Sequence, residues 1–293
     1  MDRQPQQSGT NPELAPSSGR APTNAVRAGI SLLQLNVEGL TKAKITVIEH
    51  LLQTNKVSVI LLQETHMRDS SRLKIPGYTL AANTESDIHG IATFVQNSAK
   101  WKAVAASAPD SDLEWTATQV EGVTVINVYK PPSTRLLENS IPSFDQPCMY
   151  AGDFNCQSTT WGYRRTTPDG SALENWASSV GVHLLYDSKQ PDSFHSGRWN
   201  TTSNPDLAFV NLNGPYPHRS VLDPFPKSQH RPSLIIPNNP VEPISSRPVK
   251  RWNFRKARWN QFRELVEAGA DTLPLPAPGN LGQVLLSLLQ TPY

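Results

Sequence analysis

Cysteine is nearly absent from this chain of 293 residues: Cys148 and Cys156 are the only two. Two thiols cannot supply the several bridges that hold small secreted domains together, and no Cys/His spacing matches a zinc site. They read as reduced thiols. Long apolar runs are missing as well. None approaches the ~18 consecutive apolar residues that a membrane span requires, and the opening "MDRQPQQSGTNPELAPSSGRAPTN" lacks the apolar segment that directs secretion. The expectation is an intracellular protein, nuclear or cytoplasmic, with no membrane partner. An excess of one charge is also lacking, with 27 basic residues against 25 acidic. The balance is nonetheless uneven: 17 basic to 19 acidic over residues 30–236, then seven to four over 237–293. A slightly acidic middle does not exclude an enzyme of nucleic acid, because carboxylates that hold a cation subtract from the count at the site itself.

Proline is plentiful, at 26 residues, and gathers at the ends. Residues 1–28 are rich in Pro, Gln and Ser without hydrophobic period and read as a disordered tail. Order is expected over 29–237, followed by a Pro-rich linker and a basic, aromatic tail over 238–293. Within the middle, "GISLLQLN" is an apolar run ending in Asn36. "LTKAKITVIEHLLQTN" has helical spacing behind Thr41 as N-cap, and "KVSVILLQET" reads as a buried strand. From 77 to 130 short strands separated by turns ("GYTLAAN", "GIATFVQ", "KAVAAS", "EWTATQV", "VTVINVYK") suggest one largely antiparallel set. "CMYAGDFN" is another strand. "DGSALENWASSVG" predicts a helix with Asp169 as N-cap and Gly181 as stop. "VHLLYD", "DLAFVN" and "SLIIP" complete the strands. Few helices and no regular βαβ alternation point to an α/β fold: a four-layered sandwich of two mixed, largely antiparallel sheets packed face to face, with helices outside.

Four apolar strands end in polar groups of one kind: Asn36, Glu64, Asp153 with Asn155, and Asp206. His230 in "SQHRP" stands just before another strand. Singly, each has a plain alternative as a turn residue or a structural histidine, and Asp-Phe-Asn after Gly152 marks a turn as readily as a site. Together, carboxylates, amides and a histidine without thiolates form a donor set for a hard divalent cation such as Mg²⁺. Such a centre can neutralise a phosphoryl oxygen while a carboxylate activates water and an imidazole steadies developing charge.

In order, "LLQLNVEGL", "VILLQETH", "VINVYKPP", "AGDFNCQSTTWG", "NPDLAFV" and "SQHRP" resemble the motif series of the endonuclease/exonuclease/phosphatase superfamily. The flanks "TTWGYRRTTPDGSALENWA" and "PDSFHSGRWNTTSNPDLAFV" and the tail "RWNFRKARWNQF" resemble the endonuclease domain of non-LTR retrotransposons. The resemblance implies a nuclease that nicks duplex DNA with Mg²⁺ or Mn²⁺, leaving 5′-phosphate and 3′-hydroxyl ends. Its partner would be a reverse-transcriptase domain supplied by the parent element. It implies Glu64 as principal metal ligand with Asn36 helping, and Asp153 as the group that orients or deprotonates water. Asn155 and Tyr129 would lie at the phosphate, and His230 would be a charge stabiliser oriented by Asp206. The alternatives are another phosphoesterase on the same scaffold and an impaired remnant that only binds nucleic acid. The chain departs from the pattern at Gln229, where many members have Asp. It departs again at Cys156-Gln157-Ser158, where retroelement versions often carry two histidines, and at "IHGIATFV", which is read as peripheral. The segment 250–263 has six basic residues, none acidic, and four interleaved Trp and Phe, which suits a nucleic-acid backbone or a docking linker.

Overall fold

Strand β1 (Leu32–Asn36) contains in five residues the plan of the whole domain. Leu33 and Leu35 point one way, into an apolar cluster with Ile48 of helix α1 (Lys42–Thr54). Leu32 points the other way, into a cluster shared by both sheets. With a side-chain period of two, Gln34 and Asn36 lie on that same inner face. The strand is therefore buried on both sides.

In this computed structural model the described residues are 29–238 and 258–270, apart from Leu73, Asp110, Glu138 and Asn139. They fall in two compact units, within Met1–Val241 and Glu242–Tyr293. In the first unit, one six-stranded sheet has the order β13 (His218–Val221), β14 (Ser233–Ile236), β1, β2 (Val59–Gln63), β4 (Ala92–Gln96), β3 (Tyr78–Asn83). A second runs β5 (Trp101–Ala106), β6 (Glu114–Val120), β7 (Val123–Tyr129), β8 (Cys148–Asp153), β12 (Asp206–Asn211), β9 (His183–Leu184). A hairpin, β10 (Phe194–Ser196) with β11 (Thr201–Ser203), stands apart from both. Among the described strands only β1–β2 and β7–β8 pair in parallel. Helix α2 (Pro168–Val180) covers the outer face of the second sheet. There Trp176 meets Tyr150 and Phe209 edge-on, with ring centroids 4.9 and 5.6 Å apart. The layers are helix, sheet, sheet, helix, as expected. None of the described helices is long and apolar enough to cross a membrane.

Four details differ from expectation. The strands over 77–130 are not one set, because β3 and β4 join the first sheet while β5, β6 and β7 open the second. The N-cap of α2 is Thr167, whose Oγ1 accepts from Gly170 N at 3.3 Å; Pro168 opens the helix and Asp169 sits in its first turn. Thr166, Thr167 and Asp169 are all capping types, and only a proline at the first helical position separates them. The strand expected in "VHLLYD" is limited to His183–Leu184. Strands β10, β11 and β13 were not anticipated, since they are short and lack apolar alternation. In the second unit α3 (Trp259–Ala270) forms within the basic, aromatic tail. Residues 1–28, the linker over 239–257 and the chain after 270 lie outside the described residues.

The inner faces of five strands share a gradient. Val125, Asn127 and Tyr129 succeed one another on β7; Met149, Ala151 and Asp153 on β8; Val210, Ala208 and Asp206 on β12. On β1 the series is Leu32, Gln34, Asn36, and on β2 it is Val59, Leu61, Gln63. The apolar members form one inter-sheet cluster. The sandwich is dry at one end and lined with carboxylates, amides and a phenol at the other. Burial of the apolar end at ~25 cal/mol per Å² stabilises the sheet pair and leaves the polar end held by hydrogen bonds.

Close approach of β7 and β8 fixes Gly152 within "AGDFN". A Cβ built there would lie 1.8 Å from the Val128 carbonyl oxygen. We expect Gly152→Ala to destabilise the domain by ~3 kcal/mol or more, as overpacked cores do. Gly197→Ala, where a Cβ meets nothing within 4 Å, should shift the urea midpoint little. Equal midpoints for both variants would contradict the packing described.

Candidate active site

The polar ends of these strands converge. Antiparallel pairing of β8 with β12 sets Asp153 directly opposite Asp206, and parallel pairing of β7 with β8 sets Tyr129 beside Asp153. Asp153 and Asp206 are fully buried and His230 nearly so. His230 Nδ1 lies 2.8 Å from Asp206 Oδ2, and its Nε2 faces Asp153 Oδ2 at 3.9 Å. Phe194 of β10 packs edge-on against the imidazole, with centroids 4.9 Å apart. One donor atom from each of Asp153, Asp206 and His230 lies within 4.8 Å of the others.

Asn36 joins this centre to Glu64. Its Nδ2 donates to Glu64 Oε1 and to Asp153 Oδ2, both at 2.9 Å. Its Oδ1 accepts the Glu38 backbone N–H at 3.0 Å. Asn36 thus presents nitrogen, not oxygen, to the two carboxylates and bridges them. Glu64 Oε1 also accepts from the Tyr129 hydroxyl at 2.9 Å, while Oε2 stands 3.6 Å from His66 Nε2 at the open rim. Asn155 donates Nδ2 to the Lys130 carbonyl and its backbone N–H to Asp153 Oδ1. Glu38, Glu64, His66 and Asn155 all have left-handed backbones, with φ between 44° and 53°. Four non-glycine residues in that region around one centre store conformational energy of the kind found at functional sites.

Two histidines escaped the sequence reading. His66 follows Glu64 by two residues, and only that proximity could have flagged it. His89, in the segment read as peripheral, is not: its ring stacks obliquely on Tyr129 with centroids 5.4 Å apart, and Nδ1 lies 3.4 Å from the hydroxyl. Gln229 bonds to Glu38 and not to Asp153, Asp206 or Glu64. Its side-chain amide donates to Glu38 Oε1 at 3.1 Å and its backbone N–H to Oε2 at 3.2 Å, which ties two rim loops together. The Cys156-Gln157-Ser158 stretch serves the loop itself. Cys156 is buried, with burial pushing its thiol up to about 12, and Ser158 caps a short turn through Thr160 N.

Burial drives the Asp153 carboxyl up to about 7, assisted by the charges of Asp206 and Glu64 and opposed by His230 and the Asn36 hydrogen bond. For His230 burial is the largest effect and disfavours the cation. The charge and hydrogen bond of Asp206, with Asp153 and Glu38, outweigh it and hold the imidazole at about 9. Burial and the adjacent Glu64 raise the Tyr129 phenol, so it stays a donor. Three carboxylates thus meet one imidazolium, leaving negative charge uncompensated. Oxygen donors with excess negative charge and no thiolate suit a divalent cation, and Glu64 at the rim with the buried cluster behind it fits one.

A buried carboxylate–imidazole centre thus stands at the polar end of a two-sheet α/β sandwich. Residues 33–233 match the Endonuclease/Exonuclease/phosphatase family, and the chain belongs to it. Over 149 residues it is 27% identical to the RNA-directed DNA polymerase from mobile element jockey of Drosophila melanogaster, a match spanning 47% of this chain and 16% of that protein. The endonuclease domain of TRAS1, a telomere-specific non-LTR retrotransposon, has a similar fold: TM-score 0.52, 17% identity, covering 72% of this chain and 100% of that one. So has the AP endonuclease LMAP from Leishmania major: TM-score 0.55, 14% identity, covering 70% and 86%.

The Asp153–His230 pair has a thermodynamic signature in cation-free protein. Asp153 is raised from an ordinary 3.8 to about 7, so the folded state binds its proton more tightly. Its contribution to stability is full below 3.8 and lost as pH rises through 7. His230, raised from 6.5 to about 9, contributes below 6.5 and loses that contribution as pH rises through 9. Cation-free protein should therefore be less stable at pH 9 than at pH 5. With chelator, the melting temperature should fall from pH 5 to pH 9, and fall less steeply in Asp153→Asn, which has no carboxyl to titrate and weakens the hold on the His230 proton. An equal or steeper fall in the variant would refute the buried-charge description.

Proposed function

We propose that this domain is a divalent-cation-dependent endonuclease that nicks one strand of duplex DNA by phosphodiester hydrolysis, leaving 5′-phosphate and 3′-hydroxyl ends. The observation that carries the reading is the opposition of Asp153 and Asp206 across β8–β12, with His230 between them and Glu64 at the open rim. A carboxyl raised to about 7 suits a general base near neutral pH, and an imidazole held as a cation suits the stabilisation of developing negative charge. Family membership and the retrotransposon relatives favour nucleic acid over other phosphoesters.

In this reading Glu64 is the principal ligand of Mg²⁺, or of Mn²⁺. Asn36 holds Glu64 and Asp153 at fixed separation and would help them hold the cation. When bound, a divalent cation would supply charge neutralisation at a phosphoryl oxygen. Asp153 takes the proton of the attacking water, its raised affinity for protons suiting it as a base. His230, a cation oriented through Nδ1 by Asp206, steadies the charge that gathers on the phosphoryl oxygens through Nε2. The free N–H of Asn155 and the hydroxyl of Tyr129 contact the scissile phosphate. The bidentate hold of Gln229 on Glu38 keeps the rim loop in place, so the missing aspartate leaves a built structure. The jockey relative is a polymerase and matches here over a small part of its length. That supports a parent element in which a reverse transcriptase extends the 3′-hydroxyl, and hence action on nuclear DNA. The basic, aromatic segment 250–263 would lie along the nucleic acid or join the two activities.

The test is conversion of supercoiled plasmid to open circle by purified protein. We expect conversion with Mg²⁺ or Mn²⁺, none with EDTA, and a loss of at least 10³-fold in Asp153→Ala and in Glu64→Ala, the scale for removal of an essential group. Product ends should accept polymerase extension without prior phosphatase treatment. Activity that survives both substitutions would overturn the assignment. So would a folded wild-type protein inert with every divalent cation tried.

A further inference from the structure

Behind the catalytic rim, three buried amides form a continuous chain between the two sheets. Asn127 of β7 reaches across the gap with Nδ2 to the carbonyl oxygens of Leu62 and Ala92, at 3.2 and 3.1 Å, and to Thr93 Oγ1 at 3.3 Å. Its Oδ1 accepts from Gln63 Nε2 at 2.6 Å. Gln63 Oε1 accepts from Gln34 Nε2 at 2.8 Å, and the same nitrogen of Gln34 reaches Asp206 Oδ1 at 2.7 Å. All three side chains are 0–1% exposed.

The polarity of this chain is not free. Backbone carbonyls only accept, so the amide nitrogen of Asn127 must face Leu62 and Ala92. Its oxygen then faces Gln63, which must answer with nitrogen. The same reasoning turns the oxygen of Gln63 toward the nitrogen of Gln34. The remaining N–H of Gln34 has one acceptor, Asp206 Oδ1, leaving Oδ2 to His230 Nδ1. Reversing any one amide would set donor against donor or acceptor against acceptor among fully buried side chains, at the cost of an unsatisfied buried group.

We propose that Gln34, Gln63 and Asn127 are positioning residues: a one-way hydrogen-bond relay, anchored on the carbonyls of β2 and β4, that turns the Asp206 carboxylate toward His230 and fixes the ring with Nδ1–H on Asp206 and Nε2 facing Asp153. The relay also explains why the polar end of the sandwich holds one register, since the amides span from the first sheet to the second. The proposal rests on the reading of His230 as a catalytic group, and its primary test is independent of activity.

That test is the Nδ1 proton resonance of His230 in protein carrying ¹⁵N-labelled histidine, assigned by its loss in His230→Asn. Wild type should give a far-downfield signal. Gln34→Met, which keeps the volume and removes the donor, should move it upfield or broaden it away. The variant should lower kcat by about 10–100-fold with KM little changed, the range for loss of a group that orients a ligand or catalytic side chain. Leu33→Ala, on the opposite face of the same strand, controls for destabilisation and should leave both readings unchanged. If Gln34→Met fails to fold, Gln63→Met, one link further away, should show the same weakening of the signal. An unmoved resonance in a folded relay variant, or kcat within twofold of wild type, overturns the relay. An inert wild type with the resonance present and sensitive to Gln34 would instead strike at the function proposed above.

Discussion

Two carboxylates facing each other across a pair of antiparallel strands, both almost fully buried, is an arrangement that a sandwich core does not tolerate without compensation. Asp153 and Asp206 are so placed, and the rest of the domain is organised around them. His230 lies between them as a cation. Asn36 donates to Asp153 and Gln34 to Asp206. Arg219, itself buried, donates to the Asp206 backbone carbonyl and Ser233. What remains uncompensated is the excess charge of Glu64 at the rim and of Asp153 beside it. That residue of negative charge is what makes the centre receptive to a cation.

The inward gradient along five strands separates stability from chemistry. Leucine, valine, methionine and alanine positions close the dry end, where volume and packing decide the outcome. The other end trades that packing for hydrogen bonds with direction, and direction is what a reaction centre needs. Strand ends also allow a break from extended backbone. Glu64 and Asn155 turn left-handed just beyond β2 and β8, where Glu64 meets Asn36 and Tyr129 and Asn155 meets the Lys130 carbonyl. Gly152 lets β8 approach β7 closely enough for Asp153 and Tyr129 to stand side by side.

Much of this was legible in the sequence, and the legible part had a common physical origin. Runs such as "VILLQ" and "DLAFVN" are buried on both faces, so their apolar character is continuous and their polar ends stand out. That is why Asn36, Glu64, Asp153, Asp206 and His230 could be named together. Pairing was not legible. Nothing in the strands over 77–130 says that β4 turns back to β2 while β5 goes to the other sheet, because register depends on partners far away in the chain. Gln34, Gln63 and Asn127 read as polar interruptions of apolar runs, since a relay becomes visible only when strands from different parts of the chain are set side by side. His89 was missed for a related reason: its partner Tyr129 is 40 residues away.

The most direct test of the central claim is to ask whether the uncompensated charge holds a cation. Mn²⁺ binding to the purified domain, followed by water-proton relaxation at pH 8, should reveal a site that Mg²⁺ competes for and that Glu64→Ala abolishes. His195→Ala, on the separate hairpin, should leave it intact. Binding unchanged by Glu64→Ala, or no binding in folded wild-type protein, would contradict the account of how this centre is built.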